Sequence, residues 1–348
     1  MKKRTLFLTI ILLSIKAYSQ DQKKIDFLEN KLIRFEADKK TKGYKATPLI
    51  DSTKALILSA LSKEYWNSNL DKSLNYAQQC LLLSEKIGFK VGIGSAYNNM
   101  GMISMNKGNY EEALKYHQKS LNISKEINNK DGIATSKHNI GIVFNHQGKF
   151  TEAINNYKQA LIIEEESGDS LSIAYSYTCI GVAYMDEENY NEALNNYLKA
   201  KIFYEAIGDK GTAFIYNNIG MIYQKQNKYD EALTSFFSSL KISEEIGDKR
   251  MVSYTYNNIA EVYSAQGNYP EALKNCLQSL KIKEEIGDKY GIAYSDNTMG
   301  MIYKNQKKYE DALKYEQKGL SLAKEIGSKD LEKDINKNIE EINSLMKK

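Results

Sequence analysis

The sequence repeats itself at a near-constant interval of about 40 residues, and a fixed period of that length selects stacked-unit architectures ahead of all others. One register is Asn98-Asn99-Met100-Gly101, His138-Asn139-Ile140-Gly141, Thr178-Cys179-Ile180-Gly181, Asn217-Asn218-Ile219-Gly220, Asn257-Asn258-Ile259-Ala260 and Asn297-Thr298-Met299-Gly300. A second follows within each copy: Glu112-Ala113-Leu114, Glu152-Ala153-Ile154, Glu192-Ala193-Leu194, Glu231-Ala232-Leu233, Glu271-Ala272-Leu273 and Asp311-Ala312-Leu313. One residue is lost near Gly208 to Gly211, and Leu61, Leu70 and Leu74 carry a fainter earlier copy. Seven units result, over 51–89, 90–129, 130–169, 170–209, 210–248, 249–288 and 289–328.

Each unit reads as two helices, because apolar residues recur three and four apart, as in Ala96, Met100, Ile103 and then Ala113, Leu114, Leu121. Short polar turns such as Lys107-Gly108-Asn109 separate them, with glycine as the left-handed cap. An aromatic opens each second helix (Tyr110, Phe150, Tyr190, Tyr229, Tyr269, Tyr309), and Pro270 sits where its missing N–H costs nothing. The second helices end at Gly88, Gly168, Gly208, Gly247, Gly287 and Gly327. The fold class predicted is all-α.

The combination resembles the tetratricopeptide repeat. Tyr256, Ile259, Ala260, Tyr263, Ala272 and Ser279 show its pattern, with alanine at the glycine place. The resemblance covers about residues 51–328. Two departures, the long period and the missing proline late in the second helix, fit a longer second helix. Repeats of that kind are similar to those of kinesin light chains, polarity adaptors and bacterial peptide-sensing regulators. The resemblance implies a right-handed superhelical α-solenoid of stacked hairpins. Gly101 and its equivalents would let the two helices of a hairpin touch, with Ala113 and its equivalents filling the same contact. A solenoid needs polar ends. Leu331, Ile335, Ile339, Ile342 and Leu345 form a stripe on a charged capping helix over 329–348, and Ile25, Leu28, Leu32 and Phe35 form another within 20–50, ahead of a linker from Thr41 to Pro48.

Residues 1–19 read as a secretory signal peptide: basic Lys2-Lys3-Arg4, an apolar run from Thr5 to Ile15, and Ala17-Tyr18-Ser19 before cleavage ahead of Gln20. Export to the periplasm or the exterior is expected, with no stable membrane insertion. That segment holds four basic residues and no acid, and the remaining 48 − 4 = 44 basic residues match 44 acidic ones. A neutral mature chain has no general field for nucleic acid, which is not expected as a partner. Cys80, Cys179 and Cys276 are scattered through helices and read as buried filler rather than a disulfide or metal framework.

No catalytic motif appears, and neither enzyme activity nor a cofactor is expected. His117 takes a place held by Tyr157, Tyr197 and Phe236 and reads as packing. His138 and His146 share one helix, with Asp186 the nearest third ligand, but no metal site is predicted. Glu164-Glu165-Glu166 reads as a solvated helix face.

In the family the first helix of each unit lines the inner groove. Carried over, the resemblance points inward Ser95, Asn98, Met102 and Met105; Thr135, His138, Ile142 and Asn145; Tyr175, Thr178, Val182 and Met185; Phe214, Asn217, Met221 and Gln224; Tyr254, Asn257, Glu261 and Ser264; and Tyr294, Asn297, Met301 and Lys304. A ladder of Asn98, Asn217, Asn257 and Asn297 then offers donors and acceptors to a peptide backbone. The same asparagines could instead bond neighbouring helices, the reading preferred for Asn99, Asn139, Asn218 and Asn258. The family's carboxylate clamp is not matched, since the post-glycine places are Met102, Ile142, Val182, Met221, Glu261 and Met301. The function expected is an exported scaffold holding a peptide or protein segment. The alternatives are a stand-alone sensory module acting through a separate membrane sensor, and a self-assembling structural protein.

Overall fold

The computed structural model describes residues 22–41, 48–66 and 68–347. The signal-peptide reading of residues 1–19, and most of the linker, lie outside them. Among the described residues every regular element is an α-helix. They run α1 Gln22–Thr41, α2 Pro48–Glu64, α3 Leu70–Lys86, α4 Lys90–Asn106, α5 Tyr110–Glu126 and α6 Lys130–His146. Then follow α7 Phe150–Ser167, α8 Ser170–Asp186, α9 Tyr190–Ile207, α10 Gly211–Lys225 and α11 Tyr229–Glu245. The last are α12 Lys249–Ala265, α13 Tyr269–Glu285, α14 Lys289–Asn305, α15 Tyr309–Glu325 and α16 Lys329–Met346. The fold is an all-α solenoid of helical hairpins. The chain divides into two compact units, one reaching Asn196 and one beginning at Tyr197. None of the described helices is long and apolar enough to cross a membrane.

The helices stop where the sequence supplies a left-handed residue. Gly108 and Gly148 adopt φ of +78° and +73° in the turns inside hairpins, where an L side chain costs about 1 kcal/mol or more. The same turn is made by Glu188, Asn227 and Lys307 at φ 64°, 58° and 61°. Four of the first helices begin at side-chain caps: Asn129, Asp169, Asp248 and Asp288 each accept a backbone N–H from the opening turn.

Within a hairpin, contact is made by size complementarity. Ala113, Ala153, Ala232, Ala272 and Ala312 are fully buried. The recurrent glycine does more than bring backbones together, because it makes room for the side chain sixteen residues later. A Cβ on Gly101 would lie 2.4 Å from the His117 ring, one on Gly141 2.5 Å from Tyr157, and one on Gly220 2.7 Å from Phe236. Where the glycine becomes Ala260, the opposing residue shrinks to Cys276, and both are fully buried in one cluster. His117 is thus packing: burial pushes its imidazole down to about 3, leaving it uncharged. Glu316 fills the equivalent place against Gly300, and burial pushes its carboxyl up to about 8, so it packs as a neutral acid at pH 7.

The terminal stripes cover the outermost apolar faces. Ile25 joins Ile57, Leu61 and Tyr65 in the first unit, while Leu331 and Ile335 join Ala293 and Ala323 in the second. Each fully buried Leu or Ile there contributes about 2 kcal/mol.

Candidate ligand-binding site

In the first unit, Ser95, Asn98 and Met102 recur three and four apart on α4, and Thr135, His138 and Ile142 do so on α6, so each set occupies one helix face. The two faces and Tyr175 of α8 line a common cavity of about 240 Å³. Seven inward places from three successive repeats therefore meet at one cavity. Its other lining residues include Lys63 and Trp66, at the end of α2 and just beyond it. The faint first copy carried no inward assignment in the sequence, so these two were missed. Met102, His138 and Tyr175 are buried, Ser95, Asn98 and Trp66 half-buried, and Thr135 exposed. The Lys63 ammonium stands 6.0 Å from the Trp66 ring centroid.

The buried His138 is held from behind. Its Nε2 is 3.0 Å from Glu164 Oε1 and 3.0 Å from Ser176 Oγ, and Ser176 also donates to Glu164 Oε2. Here the solvated-face reading of Glu164-Glu165-Glu166 is corrected: Glu165 and Glu166 are exposed, but Glu164 is 6% exposed because it is the acceptor for these two donors. The cavity can thus offer amide and hydroxyl groups over an apolar and aromatic floor, with one lysine.

No group of three or more His, Cys, Asp or Glu fit to hold a metal occurs among the described residues. The His146–Asp186 pairing considered from the sequence is occupied otherwise. Asn145 donates to Asp186 at 2.5 Å, and the His146 ring stacks 6.0 Å from Tyr110. Burial lowers His146 to about 4 and raises Asp186 to about 8. Both are neutral at pH 7.

The sequence matches the family described as Tetratricopeptide repeat over residues 92–163, 172–245 and 252–325. The chain belongs to the tetratricopeptide repeat family. A search of curated proteins returns no match. Solved structures share the fold. A Rap protein complexed with competence and sporulation factor is 13% identical, with 99% of this chain and 98% of that one covered at a TM-score of 0.61. The apo form of RapI is 13% identical, with 79% and 99% covered at 0.62. A signal transduction ATPase with a tetratricopeptide repeat sensor, from Pyrococcus horikoshii, is 16% identical, with 94% of this chain and 50% of that one covered at 0.64.

In the second unit the corresponding residues of these tetratricopeptide repeats are mostly bonded by neighbouring repeats. Phe214, Asn217, Asn257 and Asn297 are buried, and Met221, Tyr254, Tyr294 and Met301 half-buried. Asn217 accepts from Asn258 at 2.9 Å, Asn257 donates to Thr298 at 3.1 Å, and Asn297 accepts from Asn338 at 2.7 Å. Asn98 in the first unit likewise accepts from Asn139 at 3.4 Å, and Asn99 donates to the Ser59 carbonyl at 2.9 Å. The asparagine ladder is a row of bonds between neighbouring repeats. Tyr254 donates to Asp288 at 2.8 Å and Tyr294 to Glu261 at 2.9 Å. Between these rings lies Lys283, fully buried, 4.8 Å from the Tyr254 centroid and donating to Ser295 Oγ at 2.9 Å. Burial lowers its ammonium to about 8. Nothing in the sequence marked this lysine out.

Proposed function

We propose that the protein is an exported, non-catalytic scaffold that holds an extended peptide or protein segment against the first-unit cavity. The convergence of Ser95, Asn98, Met102, Thr135, His138, Ile142 and Tyr175 on that cavity carries the reading. A methionine and an aromatic floor adapts to varied side chains, and Asn98 Nδ2 and Asn139 Oδ1, the atoms outside their mutual bond, can pair with a peptide backbone. A structure of the same fold is complexed with competence and sporulation factor, which supports a ligand-holding role for such repeats.

The test is selection of peptides from a displayed library on the chain lacking residues 1–19, followed by calorimetry on the wild type and Thr135→Tyr. Thr135 is exposed, so its replacement fills the cavity without disturbing the core. Selected peptides are expected to bind the variant at least about tenfold more weakly, a change of about 1.4 kcal/mol. Equal binding by a normally folded variant removes the cavity from the account. Export is checked by N-terminal sequencing of protein recovered from outside the cytoplasm, with Gln20 expected first.

A further inference from the structure

The helix α6 has a second working face. At about 100° per residue, Lys137, Ile140 and Phe144 project from the side opposite Thr135, His138 and Ile142. They line a separate depression of about 830 Å³ between α5 and α7, together with Lys115, Tyr116 and Lys119 of α5.

The repeat register explains why the depression is there. The place four before the glycine is Tyr97, Tyr177, Tyr216 or Tyr256 in four other repeats, Asp296 in the last and Lys137 in this one. In the preceding repeat, Tyr97 stacks on Tyr116 with centroids 6.1 Å apart. Here Asn156 stands where Tyr116 does, so both members of the stacked pair are lost and the space stays open.

The charge around the rim is mostly positive. Three lysines line the depression against one carboxylate, Glu112, which already accepts from Ser104 Oγ at 3.0 Å. Among the described residues Lys115, Lys119 and Lys137 have no ion-pair partner. Lys130 and Lys289, by contrast, pair with Glu166 and Glu325 at 2.8 and 2.6 Å. Lys119 hangs over the Tyr97 and Tyr116 rings at 5.1 and 5.8 Å, and Lys137 is half-buried, its ammonium disfavoured by burial and by the neighbouring Lys125. A half-buried cation beside another cation is stabilised by an incoming anion. Ile140, Phe144 and Tyr116 beneath it favour apolar side chains.

We propose that this depression docks an acidic segment of a partner protein, one in which carboxylates flank an apolar or aromatic side chain. The carboxylates pair with Lys115, Lys119 and Lys137 while the apolar side chain rests on Ile140 and Phe144. The site is independent of the cavity on the other face of α6.

The probe is a fluorescein-labelled peptide alternating glutamate with leucine and phenylalanine, followed by fluorescence anisotropy. The wild type is expected to bind it, with affinity falling as salt is raised. The double variant Lys115→Glu/Lys137→Glu, and the milder Lys115→Gln/Lys137→Gln should charge reversal disturb folding, are expected to lose at least about tenfold. Reversal of two exposed lysines elsewhere, Lys241→Glu/Lys281→Glu, is expected to change nothing, as is Thr135→Tyr. Equal binding by the groove variants, or by a peptide with glutamine for glutamate, overturns the proposal. So does absence of peptide binding alongside groove-dependent capture by phosphatidylglycerol vesicles, which would assign the surface to lipid.

Discussion

Residues 138, 164 and 176 in the first unit occupy the same repeat places as residues 257, 283 and 295 in the second, and the two regions solve one packing problem with opposite charges. His138, Glu164 and Ser176 form a knot in which the carboxylate accepts from an imidazole and a hydroxyl. Asn257, Lys283 and Ser295 form one in which the ammonium donates to Ser295, which itself donates to Asn257 Oδ1 at 3.1 Å. A buried acid is matched by a donor and a buried amine by acceptors, with the Tyr254 face adding cation–π attraction. The lesson is that the repeat backbone fixes a polar triad, while the sign of its charge is free provided its partner changes too. A second difference sits beside it. The place six before the glycine is Ser95, Thr135 and Tyr175 in the first unit but Phe214, Tyr254 and Tyr294 in the second, so small residues stand there only in the first. Ser95 and Thr135 leave the cavity open, and Tyr175 forms part of its wall.

Exchanging charges gives the largest effect. Glu164→Lys removes the carboxylate that accepts from His138 and Ser176 and buries an ammonium in its place, and is expected to cost about 3–5 kcal/mol in urea unfolding. Adding His138→Asn, which recreates the second-unit triad, should recover part of that loss; a double variant no better than the single one breaks the comparison.

Next is Lys283. Its ordinary value of 10.5 falls to about 8 in the fold, so between those values the unfolded chain holds a proton that the native chain has released. Stability therefore rises with pH through that window, by roughly 3 kcal/mol in all. Lys283→Met is expected to be more stable than the wild type at pH 7, with the advantage shrinking toward pH 10 in thermal unfolding. A pH-independent difference between the two would contradict the assignment.

The smallest effects probe the glycine place. Gly141→Ala drives a Cβ into Tyr157 and is expected to cost about 1–3 kcal/mol. Ala260→Gly, opposite the small Cys276, should cost only about 1 kcal/mol through helix propensity. The reverse order in denaturant midpoints would mean that the side chain sixteen residues on does not set the choice at this place.

The hairpins were legible because glycine, alanine and turn residues recur in register, and each reports backbone contact directly. His117 was legible by the same logic, since its neighbours in the register are aromatic. The asparagine ladder was not, because an amide suits a ligand and a neighbouring helix equally; the clue was that Asn139 and Asn258 each fall 41 residues after the asparagine they bond. Glu164 and Lys283 were invisible because a charge on a polar-faced helix reads as solvated, and only three-dimensional proximity to His138 or Tyr254 shows otherwise. The small residues at Ser95 and Thr135 were in plain view, yet their consequence depends on which faces converge.

The chain carries a single tryptophan, and Trp66 lines the first-unit cavity. Titrating a selected peptide while following Trp66 emission therefore reads occupancy at the place the account depends on. A saturable shift in emission that Thr135→Tyr abolishes is the predicted result. Tight binding that leaves Trp66 emission unchanged, or a shift that survives the filled cavity, would contradict it.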